Sequence, residues 1–457
     1  MEGAIQIGPS TNLIGINRVT GTKKTSTGRD LKVLHINTTD LVGGAARAAF
    51  RLHEALLQCG VESRMLVLEK TSDDPAVLAP MSPWRRIWHQ LKRGATARLM
   101  RRQHTPTNPG IHSLNLTGSG LVPWINAQNV DVVQLHWLGN EMLSVAEIAR
   151  IRHPLVWTLH DMWPISGAEH YDDFLNPGRY REAYRPDNRP SQHEGPDLDA
   201  WTWQRKRKAW CRQQFHLVSP SQWLADCARQ SALMSHQPCS VIPNCIDHRI
   251  YRPVNRQTAC DALGLDPHRR YVLFGASSAT GDPRKGYAEL RTALGHMRSL
   301  ADGQAGDIEL LIFGATAPRI ADTGLPFQPH YFGNLSDDLT LALLYSAADV
   351  FAAPSLQDNL PNTLVEAMAC GLPCVAFRIG GMPDLIEHKA TGWLAEPFEV
   401  AGFTEGLMHW LQRPRPEEAC RRFSLCNHAY SSVAAQYQDL YNRVTRDRQD
   451  LAASPAD

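Results

Sequence analysis

The chain has 457 residues, a net charge of +1, a hydrophobic content of 43% and a charged content of 20%. These values are typical of a globular protein with two domains of about 200 residues each, and they exclude a globally basic binder of nucleic acid. No apolar run reaches the roughly 18 residues of a membrane span, and the ten cysteines lack the short paired spacings of a disulfide framework or a zinc site.

Residues 1–29 are polar, rich in Gly, Ser and Thr, and without periodicity, which predicts a mobile extension. This segment lacks a basic region followed by a long apolar core, so a secretory signal peptide is not expected. We therefore expect a cytoplasmic protein.

The first predicted structural unit is a strand, a glycine-containing loop and a helix. Leu31–Ile36 is a short apolar run, and the polar loop after it contains Gly43 and Gly44 before an amphipathic helix that ends at Gly60. Because such a loop brings backbone N–H groups to an anion at a helix N-terminus, we predict phosphate contact here. The alternative is a plain tight turn.

Residues 82–102 carry seven Lys or Arg and no acid, with Trp84, Ile87, Trp88 and Leu91 near helical spacing. A basic helix with Trp on its apolar face can lie on an anionic membrane surface. The alternative is a solvated helix packed on the first domain.

Two further strand-to-loop units, Val130–Gly139 and Pro154–Tyr171, end in His and Trp residues. The second places His160 at the carboxyl end of a parallel strand, where open α/β sheets bind ligands, although a structural histidine is the alternative. The acids of the following Pro-, Asp- and Gly-rich insert, residues 167–200, lack the strand expected of a metal-binding Asp-x-Asp. The Trp- and Lys/Arg-rich segment 201–210 predicts a helix surface, with contact to an acidic acceptor as the alternative.

A second domain begins with the predicted strand Tyr271–Ala276 and a loop that leads to Arg284 and Lys285 at a helix start. Two cations beside a helix N-terminus suit a diphosphate, because their charge-assisted hydrogen bonds act where the helix dipole already favours anions. A solvated charge pair is the alternative.

A βαβ unit follows at residues 349–377. It is predicted as a buried strand at Val350–Ala353, a helix over about residues 361–370 and a second buried strand at Pro373–Phe377. Asp358 precedes the helix and Glu366 lies two turns inside it. Taken alone, the first acid could be a helix cap and the second could lie on an exposed face.

Asp358, Glu366 and the string EAMACGLPCVAF resemble the E-x7-E signature of retaining nucleotide-sugar glycosyltransferases of family 4, with Asp in place of the first Glu. The string HINTTDLVGGAARAAFRLHEAL is also similar to the opening of exopolysaccharide-type or colanic-acid-type members. Two further strings, TLHDMWP around His160 and RKG from Arg284, resemble segments of family 4 in general. The resemblance covers about residues 31–446 and implies the GT-B fold, two doubly wound Rossmann-like α/β domains that face each other across a cleft. It implies an acceptor-side domain at 30–247, a nucleotide-sugar domain at 248–428, and a terminal helix with a tail at 429–457 that crosses back.

The resemblance also implies roles for individual residues. His160 and Asp358 would orient the donor sugar, Lys285 would stabilise the leaving diphosphate, and Glu366 would hold the ribose, without a metal or other cofactor. The implied donor-binding set is Gly43, Gly44, Arg284, Lys285, Asn334, Leu335, Asp358, Asn359, Leu360, Asn362 and Glu366. The implied partners are a nucleoside diphosphate sugar and a glycan or lipid-linked glycan acceptor, with an anionic membrane surface met through residues 84–102 and no nucleic acid.

Several positions depart from the family pattern. Asp358 replaces the first Glu, Ala279 stands where many relatives have Arg, and Asn359 and Asn362 stand where many have glycine. In the insert, Ala168 stands where a Cys is often found. These departures keep two alternatives open, a non-catalytic nucleotide-sugar-binding subunit of a polysaccharide assembly complex and, third, a nucleotide-sugar epimerase.

Overall fold

The computed structural model describes residues 31–275, 282–300, 307–315, 324–335 and 337–453, with side chains as far as residue 448. The predicted extension at 1–29 and the departure at Ala279 lie outside these residues. None of the helices in the described ranges is long and apolar enough to cross a membrane.

The first sheet has seven parallel strands in the order β3-β2-β1-β4-β5-β6-β7. The chain reverses its direction of winding between β1 and β4, which is the point where open α/β sheets form a ligand crevice. The strands are β1 Lys32–Ile36, β2 Glu62–Leu66, β3 Val77–Leu78, β4 Val132–Leu135, β5 Leu155–Thr158, β6 His216–Ser219 and β7 Cys239–Val241.

The second sheet has six parallel strands in the order β10-β9-β8-β11-β12-β13, with its reversal between β8 and β11. The strands are β8 Arg270–Gly275, β9 Ile308–Phe313, β10 Gln328–Tyr331, β11 Val350–Ala353, β12 Cys374–Phe377 and β13 Gly392–Ala395. The predicted architecture of two doubly wound α/β domains is confirmed.

The helices connect the strands and cover the sheets. They are α1 Gly44–Gln58, α2 Pro83–Met100, α3 Val122–Asn126, α4 Val145–Ile148, α5 Arg179–Glu182, α6 Leu198–Trp210, α7 Gln222–Gln230, α8 Arg256–Leu263, α9 Tyr287–Leu300, α10 Asp338–Ala347, α11 Asn362–Ala369, α12 Val400–Leu411, α13 Glu417–His428 and α14 Tyr430–Ala453. Short 3₁₀ turns lie at Trp163–Ile165, Pro186–Asn188, Pro283–Lys285 and Met382–Asp384.

An aromatic core lies beneath the insert of the first domain. Trp157 on β5 is fully buried and packs against Trp163, Trp210 and Phe215, with ring centroids 5.5 to 6.1 Å apart. The prediction of a helix surface for residues 201–210 is therefore wrong for part of α6. Because α6 contributes Trp210 to this core, its basic residues alone could not reveal its buried face.

The last helix, α14, packs on the first sheet rather than on the second. It lies against α1 and buries Tyr437 and Tyr441 in the cluster that also holds Val33 and Val156. The Tyr437 hydroxyl lies 3.0 Å from Oγ1 of Thr158 at the end of β5. The C-terminal helix thereby contacts the end of β5, two residues before His160.

Candidate functional site

The N-termini of α1 and α11, one from each domain, lie against each other. Gly43, with φ of +91°, caps α1, and the side-chain amide of Asn362 donates a hydrogen bond of 2.8 Å to the carbonyl of Gly44. The first N–H groups of a helix have no intrahelical acceptor. The start of α1, where phosphate contact is predicted, therefore lies beside the start of α11 in the region between the domains.

A small cavity that is connected to solvent lies at the start of α11 and is lined by Gly275, Lys285, Asp358 and Thr363, among others. Lys285 Nζ lies 2.5 Å from Oδ2 of Asp358. Asp358 is therefore not the cap of α11, a position that Pro361 occupies. The ion pair places a cation and an acid at the mouth of the cavity, as diphosphate and sugar hydroxyls require.

Gly286 fixes the position of Lys285. Its φ of +70° is left-handed, and a Cβ added there would lie 1.8 Å from the carbonyl oxygen of Pro354. Only glycine lets the turn approach the end of β11 so closely. In the RKG sequence, Lys285 is thus explained by its ion pair with Asp358, and Gly286 by its close approach to Pro354.

Arg284 is held by two partners. Its guanidinium pairs with Asp282 at 2.6 Å and lies 4.3 Å from the ring centroid of Tyr171. Tyr171 comes from the insert of the first domain, and its role was not predicted because a single Tyr in a Pro- and Asp-rich segment carries no recognisable pattern. The insert thereby closes one side of the site.

Asn359 joins the turn after β11 to the end of β5. Its amide nitrogen donates to the carbonyls of Leu159 and His160, at 3.0 and 3.4 Å, and its oxygen accepts from Ser221 at 2.6 Å. The structure thus brings His160 next to the Asp358–Leu360 segment, and Leu360 itself is buried. Burial lowers the pKa of His160 to about 4, so its ring is neutral at physiological pH.

Glu366 is buried, which excludes the exposed helix face that the sequence left open. Its Oε1 lies 2.8 Å from Nη1 of Arg51 on α1, and its Oε2 accepts from the Tyr345 hydroxyl at 2.8 Å. Arg51 also donates to the hydroxyl of Tyr251 at 3.0 Å. The predicted ribose-binding acid is therefore oriented by both domains.

Arg51 and a second arginine of α1 were missed by the sequence analysis. Arg47 pairs with Asp338 of α10 at 2.7 Å. Because residues four apart share one face of a helix, the pattern Arg-x-x-x-Arg after the glycine loop was an available signal for a basic face toward the cleft. Tyr345 had no such signal, since it reads as an ordinary core residue of α10.

Asn334 and Leu335 lie on the connection between β10 and α10. Asn334 is exposed and Leu335 packs on the core of the second domain. Within the described ranges, no hydrogen bond or ion pair joins them to Lys285 or Asp358. Their contact with a nucleotide base remains a prediction.

The site can neutralise a diphosphate with Lys285, Arg284 and two helix N-termini, and it can bind hydroxyls through Asp358 and Glu366. Among the residues that the structure describes, no three His, Cys, Asp or Glu side chains are arranged to hold a metal ion. The chemistry available from these side chains is electrostatic stabilisation and hydrogen bonding.

Comparison with known families agrees with this geometry. Residues 42–249 match the family described as Glycosyltransferase Family 4, and residues 269–413 match the one described as Glycosyl transferases group 1. Each half of the chain is therefore similar to a glycosyltransferase family. The first match covers β2 to β7 of the first sheet, and the second match covers all six strands of the second sheet.

Among relatives of this GT-B chain, a D-inositol 3-phosphate glycosyltransferase of Segniliparus rotundus is 34% identical over 199 residues, which are 41% of this chain and 42% of the relative. A protein of the same description from Mycobacterium bovis is 31% identical over 180 residues, 36% of this chain and 35% of the relative. The chain thus spans less than half the length of these curated relatives.

Solved structures of the GT-B fold resemble the chain over most of its length. Sucrose-phosphate synthase from Thermosynechococcus elongatus has a TM-score of 0.62 at 17% identity, covering 93% of this chain and 100% of the other. Anabaena HepE, solved in complex with UDP-glucose, has a TM-score of 0.57 at 16% identity, covering 90% and 100%. At such low identity these likenesses establish the fold alone.

Proposed function

We propose that the protein transfers a sugar from a nucleoside diphosphate sugar to a hydroxyl of a glycan or lipid-linked glycan, with retention at the anomeric carbon, in exopolysaccharide or cell-surface polysaccharide synthesis. The observation that carries the proposal is the Lys285–Asp358 pair at the start of α11, next to Asn359, whose amide donates to the backbone carbonyl of His160. Departure of a nucleoside diphosphate builds negative charge at this point. Fixed cations and helix N-termini stabilise that charge without reorganisation.

Each side of the donor has a matching group. Lys285, Arg284 and the starts of α1 and α11 serve the diphosphate, and Glu366 serves the ribose hydroxyls. Asp358 and His160 orient the sugar, so that positioning contributes alongside charge. No described side chain at the cavity is needed as a covalent nucleophile, because the leaving phosphate can accept the proton of the acceptor hydroxyl.

Turnover of UDP-glucose tests the assignment, since HepE binds this donor. Release of UDP, with and without glycan acceptors, should be measured for the wild type and for Lys285→Ala and Glu366→Ala. Loss of one preorganised cation should lower kcat roughly 10²- to 10³-fold. EDTA should leave turnover unchanged, and the product should keep the donor's anomeric configuration by NMR.

Arg422→Ala is the matched control, because Arg422 is an exposed cation of α13 whose partner, Glu418, lies 3.9 Å away. Unchanged turnover in both site variants, with a donor that the wild type consumes, would refute the assignment. The alternative of a non-catalytic binding subunit is favoured by two departures from the family pattern, Asp358 in place of the first Glu and Ala279 in place of Arg. Tight binding of UDP-glucose without hydrolysis or transfer would select that alternative.

We further propose that α2 holds the protein on an anionic membrane surface, where a lipid-linked acceptor would reside. Its Trp84, Trp88 and Leu91 side chains are 75%, 63% and 60% exposed, and seven cations and no acid lie within residues 82–102. Exposed Trp beside clustered cations suits the interface of an anionic bilayer.

Sedimentation with phosphatidylserine-containing vesicles tests the membrane proposal. Trp84→Ala combined with Trp88→Ala should lower vesicle binding, and high salt should weaken binding by the wild type. Trp201→Ala on α6 is the control for removing a partly exposed Trp elsewhere. Equal binding by the double variant and the control would refute the proposal.

A further inference from the structure

Three histidine rings form a continuous line across adjacent strands of the first sheet. His35 lies on β1, His136 directly follows β4, and His160 lies two residues beyond β5. Nδ1 of His35 is 2.9 Å from Nε2 of His136, and Nδ1 of His136 is 3.0 Å from Nε2 of His160. The rings are stacked with centroids 5.2 and 5.3 Å apart.

Two rings of this line, His35 and His136, are neutral. His35 and His136 are buried, and burial holds the pKa of each well below its ordinary value. The neighbouring His53 lowers the pKa of His35 further. Each of the three neutral rings therefore carries a single N–H.

Proton counting restricts the line to two arrangements. Each of the two hydrogen bonds needs one proton, and the single proton of His136 can serve only one of them, so both bonds run in the same direction. The third proton then lies at one end, either on Nε2 of His35 or on Nδ1 of His160.

The two ends differ in their surroundings. Nε2 of His35 is buried without a hydrogen-bond partner, and a buried N–H without an acceptor is costly and rare. His160 is half-buried and lines a small cavity that is connected to solvent, together with His136 and Asn244. A proton at that end is open to solvent or to a ligand.

We propose that His35 and His136 are positioning residues that hold His160 in the Nδ1–H tautomer, so that His160 donates a hydrogen bond to a hydroxyl oxygen of the donor sugar. The hydrogen bond to the donor sugar rests on the proposed function, but the tautomer of His160 does not. Of the two ring nitrogens of His160, Nε2 is engaged with His136, which leaves Nδ1 for the ligand.

The tautomer is tested by NMR of the full-length protein labelled with ¹⁵N-histidine, with the His160 signals assigned from His160→Asn. The expected result at pH 7.5 is a protonated Nδ1 and an unprotonated Nε2 on His160. A protonated Nε2, or a ring protonated on both nitrogens, would overturn the proposal. This readout needs no turnover, so it stands apart from the test of the glycosyltransferase assignment.

Variants of His136 supply the second test. His136→Gln keeps an amide N–H that can donate to Nε2 of His160 and should retain the Nδ1–H tautomer, whereas His136→Leu should yield a mixture of tautomers. UDP-glucose turnover should fall roughly tenfold in kcat for the Leu variant and recover in the Gln variant. The control is His216→Gln, which replaces a partly buried histidine of the same sheet that bonds Ser240 away from the line. Equal tautomers and equal kcat in the Leu variant and the wild type would overturn the proposal.

Discussion

The contact between Arg51 and Glu366 offers a direct test of how the two domains meet. The side chains are 6% and 4% exposed and their charged atoms lie 2.8 Å apart. Replacing Arg51 by Met would leave the Glu366 carboxylate buried with the Tyr345 hydroxyl as its remaining partner. We expect this substitution to lower the free energy of unfolding strongly.

The magnitude follows from the burial. Removing one partner of a buried ion pair costs about 3 to 5 kcal/mol, because the other charge stays desolvated and uncompensated. Glu366→Gln should cost less, since Arg51 keeps the Tyr251 hydroxyl and Asp338 as partners at 3.0 and 3.8 Å. The double variant should cost less than the sum of the single variants, because it leaves no unpaired carboxylate.

Urea unfolding of the wild type, the two single variants and the double variant forms a double-mutant cycle. The cycle gives the coupling energy between Arg51 and Glu366. The matched control is Arg229→Met, which breaks a pair with Asp226 at 2.7 Å whose side chains are 46% and 50% exposed. Such exposed pairs contribute about 0 to 1 kcal/mol. A cost for Arg51→Met no larger than that of Arg229→Met would refute the reasoning and show that water reaches this contact in solution.

Two further predictions concern pH and backbone geometry. Burial lowers the pKa of both His160 and His428 to about 4, so the unfolded chain binds more protons between pH 4 and 6.5. Stability should therefore fall as pH drops through that window, by up to about 1.4 kcal/mol per pH unit for each group. In urea unfolding, His428→Gln should reduce the slope of the free energy of unfolding against pH by the equivalent of roughly one proton. An unchanged slope would contradict this prediction. Gly264→Ala, at φ of +68° in open space, should cost about 1 to 2 kcal/mol, whereas Gly286→Ala should cost more and abolish the thermal shift with UDP-glucose because its Cβ meets Pro354. Equal losses of stability in Gly264→Ala and Gly286→Ala would contradict the close approach of Gly286 to Pro354.

Local features of the chain were predictable to within a residue or two. The predicted strand at Val350–Ala353 has those bounds, and the predicted helix over about residues 361–370 is Asn362–Ala369. Apolar runs, Pro at a helix start and Gly at its end act on neighbouring residues, so they are written in the local sequence.

The partners of the site residues were not predictable in this way. Glu366 on its helix gives no sign of Arg51, which belongs to the other domain, or of Tyr345, which belongs to the preceding helix. The partner of a buried acid depends on how the two domains face each other, and that arrangement cannot be derived from a single sequence. The family resemblance supplied a ribose-binding role for Glu366 but not the groups that orient it.

The two asparagines that replace glycines show what a departure from the family pattern can do. The amide of Asn359 donates to the Leu159 carbonyl and accepts from Ser221. The amide of Asn362 donates to the Gly44 carbonyl and accepts from Asn244. A glycine has no side chain for any of these four hydrogen bonds.

Both substitutions therefore add links from the donor-facing turn of the second domain to the first domain and its following linker. The two hydrogen bonds of Asn359 are buried and contribute about 0.5 to 1.5 kcal/mol each. The two of Asn362 are more exposed and contribute less, but all four favour the contact between domains. Under the proposed function, these departures bear on how readily the cleft opens around the donor sugar, whereas diphosphate binding would depend on Lys285 and Arg284.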